Sequence, residues 1–557
     1  MIVKIADNIT SPLGLTTEAN LKAVCEKKSM LAIHEKWGMP EPFMGSLWSE
    51  DGPRDFVKAV SLSIKSALEQ IPELDVASSD VLLVLSSTKG NTTGEDGELF
   101  ALSAKKIAEN IGVTTEPVTV SNACISGLSS QILATRMLAS GQYKTAIVAG
   151  CDIQSHFIVS GFNSFKALSR NECQPFDEDR YGLNLGEAAA TIIYQVRDNA
   201  KAGEWVIEDG AVRNDAYHIS GPSRTAEGSY RALAKISSGK DISDLACVNA
   251  HGTATLYNDD MESKAIARAE MSDIITNSLK GYYGHTMGAA GILETILSMH
   301  SIENGWIPGT RGFNALGTSK RISVTADHTK TSKKQFIKLM SGFGGCNAAA
   351  WFHLLDSDSD YHNDINCIAG IKHTVRITTD SVEVDGKAIE TEGSGHSMLV
   401  SLYKTLIGGY PKFYKMDPLC QAGFVASELL LQAECETEGT ERFIEREDRA
   451  VILVNESGSI AADKEYEKSI VLGEDYFPSP GSFVYTLPNI VTGEIAIRNQ
   501  YFGETHFLCI GDKNESQIDA IVKTAFADEM TSSVLGGWLE CSSADDFDIE
   551  LNIYEKN

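Results

Sequence analysis

Cys124 stands where a predicted strand changes into a predicted helix. Residues 118–130 read VTVSNACISGLSS, in which a β-branched run gives way to small residues around the cysteine. The N-terminus of a helix attracts negative charge and therefore favours a thiolate over a thiol. This setting predicts that Cys124 is a nucleophile rather than a packing residue.

Two histidines stand next to glycines, and each follows a predicted strand. His251 lies in NAHGTATLYNDDMES and His285 lies in SLKGYYGHTMGAAG. A further glycine-rich segment, SGFGGCNAAA (341–350), bears polar groups as well. Turns of this kind let the backbone come close to a substrate. We therefore interpret the two histidines as functional residues of the same reaction as Cys124.

The elements that must position these residues alternate along the first 355 residues. Nearly continuous apolar strands separated by helices indicate sheets covered on both faces, and hence an α/β fold. The predicted strands include DVLLVLSS (80–87), KTAIVAG (144–150), AAATIIYQV (188–196), LACVNAHG (245–252) and QFIKLMSGFGG (335–345), and the predicted helices include RDFVKAVSLSIKSALEQ (54–70) and LSSQILATRMLASG (128–141).

Length and composition exclude several classes of protein. A chain of 557 residues predicts two to four domains, and 43% apolar with 22% charged residues is ordinary for a globular protein. No apolar run is long enough to predict a membrane span, and the first residues lack the features of a secretory signal. The eleven cysteines never form a CxxC pair, which argues against a zinc site and a disulfide framework and predicts a cytoplasmic location.

The charge is unevenly distributed and marks a domain boundary. Residues 1–355 carry 39 acidic and 33 basic side chains, a net charge of −6, whereas residues 356–557 carry 37 acidic and 15 basic side chains, a net charge of −22. Such acidity disfavours nucleic acid and anionic membranes as partners of the second part. The polar segment at residues 356–366 is predicted to be a linker.

The region that follows, residues 367–557, echoes the first part of the chain. Three matches in the same order predict a partial repeat of the first half-fold. They pair RAVILVNESGSIAADKEYEKS (449–469) with residues 79–99, FVYTLPNIVTGEIAI (483–497) with the segment around Cys124, and SVLGGWLE (533–540) with residues 146–153. In this alignment Ile490 takes the cysteine position and Thr492 that of Ser126, so the region is predicted to be a non-catalytic α/β half-domain that helps to shape the pocket.

The order of Cys124, His251, His285 and the GFGG turn resembles that of the Cys-His-His β-ketoacyl-acyl-carrier-protein synthases, which have the thiolase fold. The resemblance covers about residues 1–355. It implies a layered α/β/α/β/α catalytic domain with halves at about 1–200 and 201–355, followed by the half-thiolase-like domain at 367–557. Supporting matches are SPLG (11–14), GFNSFKALS (161–169) and QPFDEDRYGLNLGEAAA (174–190), the last similar to the family's PFDxxRxGxxxGEGA stretch.

The resemblance implies a decarboxylative Claisen condensation without a metal or cofactor. Cys124 would take an acyl group from a carrier thioester, and His251 and His285 would stabilise the enolate left when CO2 departs. Lys280 matches the family lysine that supports the histidines. The backbone N–H groups of Cys124 and Phe343 would form the oxyanion hole, with Phe343 as a gate. Substrate-binding positions are implied for Thr253, Thr255 and Gly344.

Other residues of the motifs are expected to be architectural. Asp177, Arg180 and Glu187 resemble a buried ionic network, and Asp259 and Glu262 are expected to cap and orient a helix. Cys346 stands where the family usually has threonine, and it is interpreted as a packing residue.

Two alternatives share this fold. A thiolase would use a second cysteine as base and would not decarboxylate. A chain-length-factor-like partner would shape a pocket for another synthase without turnover, but such partners lack the nucleophile that this chain keeps.

The resemblance also implies partners. An acyl carrier protein would deliver acyl and malonyl groups, and its acidic surface would need a basic patch near the pocket mouth. Lys58 and Lys65, which share a face of the predicted 54–70 helix, are candidates by analogy. A homodimer or a heterodimer with another synthase-like subunit is expected.

Overall fold

The structure is a computed structural model that describes residues 1–92, 99–360, 368–471 and 476–556. Its strands and helices fall into three consecutive groups, which we call the first, second and third half-folds. The predicted linker at residues 356–366 lies largely outside the described residues; of its described part, Ser359–Asp360 form a short strand. Within the described ranges, no helix is long and apolar enough to cross a membrane.

The first half-fold occupies about residues 1–200. Its elements are β1 (Ile2–Thr10), α1 (Thr17–Cys25), β2 (Ala32–His34), β3 (Phe43–Ser46), α2 (Phe56–Leu68), β4 (Val81–Ser86), α3 (Phe100–Ile111), β5 (Val118–Val120), α4 (Ser126–Ala139), β6 (Thr145–Asp152), α5 (His156–Ser164), β7 (Leu185–Gly186), β8 (Ala188–Val196) and β9 (Asn199–Ala200).

The second half-fold extends to residue 360. Its elements are β10 (Trp205–Asn214), α6 (Glu227–Ser237), β11 (Leu245–Asn249), α7 (Leu256–Arg268), β12 (Ile275–Asn277), α8 (Lys280–Tyr283), α9 (Ala290–Glu303), β13 (Trp306–Ile307), β14 (Ser323–Val324), β15 (Thr329–Lys330), β16 (Gln335–Ser341), β17 (Cys346–Leu354) and β18 (Ser359–Asp360).

The third half-fold begins at residue 369. Its elements are β19 (Ala369–Thr378), β20 (Val382–Val384), β21 (Lys387–Ala388), α10 (Gly395–Leu402), α11 (Pro418–Glu438), β22 (Arg449–Asn455), α12 (Ile460–Ser469), α13 (Pro480–Tyr485), α14 (Ile490–Asn499), β23 (Thr505–Cys509), α15 (Glu515–Lys523), β24 (Ser533–Ser543) and β25 (Asp546–Lys556).

All three half-folds contain a sheet with the same strand order and the same strand directions. The orders are β5-β4-β6-β8-β1, β12-β11-β16-β17-β10 and β23-β22-β24-β25-β19. In each sheet the second strand is parallel to both neighbours, and the last two pairings are antiparallel. The strand order that the sequence echo predicted for the third region is therefore confirmed.

The helices α4 and α9 form the middle layer between the first two sheets. Both are buried around most of their circumference, because α4 packs on β4, β6 and β17 while α9 packs on β8 and β16. A helix that is apolar on all sides needs such an enclosed position. The strand β4 is buried along its whole length for the same reason, since helices cover both of its faces.

The third half-fold packs directly on the first. Strand β23 pairs antiparallel with β5, with Leu508 opposite Val120 and Cys509 opposite Thr119. The three sheets therefore form one hydrogen-bonded series, because β1 and β10 also meet at Val3 and Val206. As a result, the strand that leads to Cys124 lies at the junction between the first and third half-folds.

One part of the sequence alignment is wrong in its register. Residues 483–497 were expected to match the strand that leads to Cys124, but they fall on the helices α13 and α14. The topological counterpart of β5 is β23, so the counterpart of the Cys124 turn lies just after Cys509 and not at Ile490. The β-branched residues of this segment resemble a strand, but Pro480 at the start of α13 and packing in the tertiary structure favour helix.

Candidate active site

Cys124 lies in the 3-10 turn Ala123–Ile125, between the end of β5 and the start of α4. Ala123 has a φ of 47°, in the left-handed region that few residues other than glycine adopt. Such strain persists only where the surrounding structure fixes it, and it is concentrated at functional sites. The fold therefore sets Cys124 in the strand-to-helix position that the sequence predicted.

The close packing of α4 against the start of α9 brings Cys124 near His285. A Cβ atom on Gly127 would lie 2.6 Å from the carbonyl oxygen of Gly288, and one on Gly291 would lie 2.4 Å from the amide nitrogen of Leu128. Any side chain at these two positions would force the backbones apart. Because Cys124 and His285 each precede one of these helices, the glycines bring the two residues close to each other.

The side chains of Cys124, His251 and His285 meet at one point. The Sγ atom of Cys124 and one ring nitrogen of each histidine all lie within 4.8 Å of one another. The two imidazole rings are 5.0 Å apart between centroids and nearly perpendicular, at 81°. The structure thus brings together the three residues that the sequence singled out from three separate segments.

Hydrogen bonding assigns the proton of His285. The Met287 N–H donates to Nδ1 of His285 at 3.2 Å, so Nδ1 is an acceptor and the ring proton lies on Nε2. Among the described residues this buried Nε2 has no hydrogen-bond partner. A thiol and two imidazoles are also the ligand types of a zinc site, but a protonated Nε2 is a donor and not a ligand. His285 can therefore donate a hydrogen bond to a bound oxygen.

Both histidines are held in the neutral form. Burial lowers the pKa of His251 and that of His285 well below the ordinary value, and the nearby Lys280 lowers both further. A neutral imidazole donates one hydrogen bond without carrying a charge. The backbone at His251 is fixed by Glu262, whose carboxylate accepts the N–H of His251 at 2.6 Å and that of Gly252 at 2.7 Å.

Burial works against the thiolate that the helix terminus was expected to favour. It raises the pKa of the Cys124 thiol to about 12, although the positive charge of Lys280 acts in the opposite direction. The thiol is therefore the resting form at neutral pH. A reaction at Cys124 must therefore remove this proton before the sulfur can attack.

Two buried lysines share one carboxylate behind the histidines. The Nζ of Lys280 donates to Oε1 of Glu294 at 2.8 Å, and the Nζ of Lys338 donates to Oε2 at 2.6 Å. All three side chains are almost fully buried. The sequence analysis identified Lys280 but missed the other two. Their signal was available, since Lys338 is the single charged residue of β16 and Glu294 is the single charged residue of the run AAGILETILSM (289–299).

The glycine-rich turn between β16 and β17 is held by the third half-fold. Asn489, the residue before α14, donates its Nδ2 hydrogen to the carbonyl oxygen of Phe343 at 2.8 Å. Gly344 has a φ of 87° and packs against the same asparagine. Gly344 is therefore a turn residue, and it is not among the described residues that line the cavity.

The third half-fold also holds the turn that carries Cys124. The side chain of Asn122 donates to the carbonyl oxygen of Thr505 at 3.0 Å and accepts the Phe507 N–H at 2.8 Å. Its backbone N–H donates to Oγ of Ser126 at 2.8 Å, which closes the turn around Cys124. Backbone and side-chain contacts with β23 therefore position the residues next to Cys124.

A cavity of about 550 Å³ opens in front of these groups. Its inner wall includes Cys124, His251, His285 and Phe343. Aromatic and apolar residues at the mouth are exposed, notably Tyr181, Tyr217, Leu256 and Tyr257, and the cations Lys166 and Arg224 stand with them. The predicted substrate contacts Thr253 and Thr255 also line the cavity, with their hydroxyl oxygens 2.9 Å apart. The arrangement suits a long, mostly apolar substrate that enters from the surface.

Two family models match adjacent stretches of the chain. The model described as "Beta-ketoacyl synthase, N-terminal domain" matches residues 77–200, and "Beta-ketoacyl synthase, C-terminal domain" matches residues 205–314. Cys124 lies in the first stretch, and His251 and His285 lie in the second. Both stretches are similar to the beta-ketoacyl synthase family, and together they span less than half of the chain.

Curated synthases match the same part of the chain. The 3-oxoacyl-[acyl-carrier-protein] synthase 2 of Rhizobium meliloti (strain 1021) is 29% identical over 272 residues, which are 45% of this chain and 64% of that protein. The synthase of the same name from Vibrio cholerae is 31% identical over 263 residues, which are 43% of this chain and 63% of that protein. The chain thus spans less than two thirds of the length of these relatives.

Solved β-ketoacyl synthase structures share the fold. The structure titled "PfaC Keto synthase-Chain length factor" matches with a TM-score of 0.76 at 14% identity and covers 100% of this chain and 78% of that chain. A beta-ketoacyl synthase from Burkholderia phymatum STM815 matches with a TM-score of 0.56 at 21% identity and covers 64% of this chain and 99% of that chain. The predicted thiolase-like fold is confirmed, and in the first comparison the likeness extends through the third half-fold.

Most of the remaining motif residues serve the scaffold of this synthase fold. Asp177 accepts the N–H groups of Asn314 and Ala315, and Glu187 accepts those of Trp48 and Gln154. Arg180 donates to backbone carbonyl oxygens. Asp259 accepts the N–H groups of Phe176 and Ala254. Asp259 and Glu262 therefore anchor loops that lead to the site, whereas capping of a helix was expected.

Two further sequence expectations concern Cys346 and the basic patch. Cys346 is buried and its thiol lies 3.2 Å from the carbonyl oxygen of Phe343, as suits a packing residue. Lys58 and Lys65 are exposed on α2, but neither is among the described residues at the cavity mouth. The cations that do stand at the mouth, Lys166 and Arg224, were missed because Lys166 was considered only as part of the GFNSFKALS match and Arg224 lies in a loop without a recognisable motif.

Proposed function

We propose that this protein is a β-ketoacyl-acyl-carrier-protein synthase that joins a Cys124-bound acyl group to a malonyl group with loss of CO2. The observation that carries the proposal is the meeting of one thiol and two neutral imidazoles within 4.8 Å at the wall of an apolar cavity. A nucleophile beside two uncharged hydrogen-bond donors is the set of groups that acyl transfer followed by enolate formation requires.

In the first step, the sulfur of Cys124 attacks the carbonyl carbon of an acyl thioester. The bond from that carbon to the carrier sulfur breaks, and the carrier leaves as a thiol that takes up the proton lost by Cys124. The negative oxygen formed during the attack would be stabilised by the backbone N–H groups of Cys124 and Phe343. Because burial keeps the thiol protonated, attack requires removal of this proton, and acylation should become faster as the pH rises towards the pKa of the thiol.

In the second step, a malonyl thioester loses CO2 and becomes an enolate. Its oxygen would accept hydrogen bonds from His251 and from Nε2 of His285, whose buried proton has no partner among the described residues. The enolate carbon then attacks the acyl group on Cys124. The bond to sulfur breaks, the Cys124 sulfur takes up a proton from the solution, and a β-ketoacyl thioester is released. Lys280 supports the histidines through its positive charge.

The domain organisation is part of the proposal. Residues 1–355 would form the catalytic domain, residues 356–366 the linker, and residues 367–557 a non-catalytic domain. Support for the last role comes from the turn after β23, where IGDK (510–513) offers no cysteine at the position topologically equivalent to Cys124. Phe483 of α13 packs on Phe162 and Phe165, which line the cavity, so the third half-fold would help to shape the acyl pocket.

The proposed partner is an acyl carrier protein that brings acyl and malonyl groups to a cytoplasmic enzyme. Lys166 and Arg224 at the cavity mouth supply positive charge for an acidic carrier, while Tyr181 and Tyr257 offer apolar surface. A homodimer or a heterodimer with another synthase-like subunit remains part of the prediction. The pairing of β5 with β23 already covers one edge of the first sheet within the chain.

The non-enzymatic alternative is less well supported. A partner that only shapes a pocket does not need a strained turn that presents a thiol to two neutral imidazoles. The thiolase alternative needs a second cysteine that can act on the substrate. Cys346 is buried behind the glycine-rich turn between β16 and β17, which we call the gate turn, and its thiol is directed at the Phe343 carbonyl.

The decisive experiment measures acylation on Cys124→Ser and CO2 release on His285→Ala, with Cys435→Ser, at a half-buried position near the end of α11, as the control. After incubation with a set of acyl carrier thioesters, mass spectrometry should find an acyl adduct on Cys124 of the wild type and of the control, and none on Cys124→Ser. His285→Ala should lower CO2 release from malonyl carrier by about 10²–10³-fold, the usual cost of one oxyanion donor. A wild type that forms no adduct and releases no CO2 would overturn the proposal in favour of the non-enzymatic alternative.

A further inference from the structure

Lys338 is a buried cation that the proposed reaction does not use. It lies in the middle of β16, within the run QFIKLMS, and its side chain is fully buried. An ammonium group without water is costly unless it is paired and hydrogen-bonded. The position of its three donors therefore indicates what this lysine does.

All three N–H donors of Lys338 have acceptors. One is Oε2 of Glu294 at 2.6 Å, and the other two are the carbonyl oxygens of Asn249 at 3.3 Å and Ala250 at 3.2 Å. These two carbonyls belong to the residues that immediately precede His251. The lysine thus reaches from the next strand of the sheet to the end of β11, where the histidine begins.

The backbone around His251 is held from both sides by charges of opposite sign. Lys338 binds the carbonyl oxygens before it, and the carboxylate of Glu262 binds the N–H groups of His251 and Gly252. Hydrogen bonds to charged groups are about twice as strong as neutral ones. A backbone fixed in this way holds the imidazole in a single position towards the cavity.

Lys338 also prevents Lys280 from binding both carboxylate oxygens of Glu294. Lys338 occupies one carboxylate oxygen, so that Lys280 receives only the other, at 2.8 Å. The two lysines and one glutamate carry a net positive charge behind the histidines. Lys338 thereby contributes, after burial and Lys280, to the low pKa of both His251 and His285.

We propose that Lys338 is a positioning residue of the condensing site, which fixes the backbone ahead of His251 and shares Glu294 with Lys280. The inference rests on the proposed function only for its consequence in catalysis, since the contacts themselves are independent of the reaction. Lys338 touches no substrate and acts through His251 and Lys280.

The pH dependence gives this role a distinctive signature. Burial lowers the pKa of Lys338 to about 8, so the ammonium group loses its proton as the pH rises through that value. Enolate formation should therefore weaken above about pH 8, whereas acylation of the Cys124 thiol should still rise. The charged and titratable groups that face Lys338 are Glu294 on α9, Lys280 on α8, Glu262 on α7, and the imidazoles of His251 and His285.

The test compares Lys338→Met with Lys334→Met, which removes an exposed lysine one residue before the same strand. Lys338→Met should lower CO2 release from malonyl carrier by about 10–100-fold, because a small displacement of a catalytic group has this effect. Acyl adduct formation on Cys124 should change by less than about threefold, and the decline of CO2 release above pH 8 should disappear. A variant that lowers both reactions equally would indicate a merely structural lysine and overturn the proposal.

Two further measurements keep the proposal testable. If Lys338→Met does not fold, the double variant Lys338→Met with Glu294→Gln, which removes one buried positive and one buried negative charge, is compared with Glu294→Gln alone. Equal CO2 release in these two variants would overturn the proposal. Selectively ¹³C-labelled histidine also reports on His251 without any turnover. Its resonance should shift and its pKa should rise in Lys338→Met, so this readout is decisive even if the wild type proves to be inactive. An unchanged His251 resonance and titration would refute the positioning role.

Discussion

Replacement of Glu504 by Gln should show how firmly the third half-fold holds the nucleophile helix. Glu504 stands immediately before β23 and is only 3% exposed. Both of its carboxylate oxygens accept hydrogen bonds from Nη1 of Arg136, at 2.8 Å and 2.6 Å. Arg136 lies on α4, the helix that begins two residues after Cys124. The ion pair thus joins the helix that follows the nucleophile to the strand that pairs with β5.

The expected magnitude follows from the pKa of Glu504. Burial alone would raise it, but the charge of Arg136, with a smaller contribution from His506, lowers the pKa from 4.5 to about 2. A difference of about 2.5 units between the unfolded and folded states corresponds to about 3 kcal/mol of folding free energy. Loss of one partner of a buried ion pair typically costs about 3–5 kcal/mol, which agrees in size. Glu504→Gln should therefore destabilise the protein by about 3 kcal/mol at pH 7.

The sign of the pH dependence is fixed by the lowered pKa. The stabilisation is fully present above pH 4.5 and is lost as the pH falls towards 2, so wild type and Glu504→Gln should converge in acid. Urea unfolding at pH 7 and at a series of lower pH values measures the difference. Glu445→Gln is the control, because its pair with Arg231 is largely exposed on the glutamate side and should be worth less than about 1 kcal/mol. A loss below about 1 kcal/mol for Glu504→Gln at pH 7, or a loss that does not shrink in acid, would refute the reasoning.

Two further outcomes are expected. The rate of Cys124 acylation should rise with pH up to at least pH 9 without a plateau, because burial raises the pKa of the thiol to about 12. If the thiolate were instead preformed, acylation rates measured across this range would reach a plateau near neutral pH. Asn489→Leu should slow the acylation of Cys124 about 10-fold, because it removes a hydrogen bond to the Phe343 carbonyl that is worth about 1 kcal/mol or slightly more. Unchanged acylation kinetics would show that the gate turn does not need the third half-fold.

The groups to which we assign the chemistry could be found from the sequence because their surroundings are local. Cys124 is recognisable by the change from β-branched to small residues, and His251 and His285 by their adjacent glycines. The reason for these glycines is clear from the fold, where Gly127 and Gly291 let α4 and α9 approach closely. Local spacing thus carried most of the information about the inner wall of the site.

The groups that position this chemistry could not be found in the same way. Asn489 and Phe343 are 146 residues apart in the chain, and Lys338 and Ala250 are 88 residues apart. No local pattern connects such pairs, since they are brought together by the tertiary fold, by neighbouring strands for Lys338 and by the position of α14 for Asn489. The state of the Cys124 thiol was misjudged for a related reason, because the helix terminus is a local feature while burial depends on the whole fold.

The error in the register of residues 483–497 has the same cause, because tertiary packing decides the structure of this segment. The run FVYTLPNIVTGEIAI has the apolar and β-branched residues of a buried strand, but it folds as α13 and α14. From there Phe483 reaches the aromatic residues of the acyl cavity and Asn489 reaches the gate turn. The true strand equivalent, β23, is followed by IGDKNE (510–515), which lacks the run of small residues around Cys124.

The three half-folds of this chain share a strand order but contribute differently to the site. The first and second half-folds face each other across α4 and α9, and they contribute the thiol and the two imidazoles respectively. The third repeats the strand order, but its β23 pairs with the three-residue strand β5, which would otherwise be a free sheet edge next to the nucleophile. A short edge strand alone could not hold the strained turn at Ala123, and the contacts of Asn122 with Thr505 and Phe507 supply that hold. The described residues of the acidic third region therefore hold the turn that carries Cys124, while the cluster of Cys124, His251 and His285 comes from the other two half-folds.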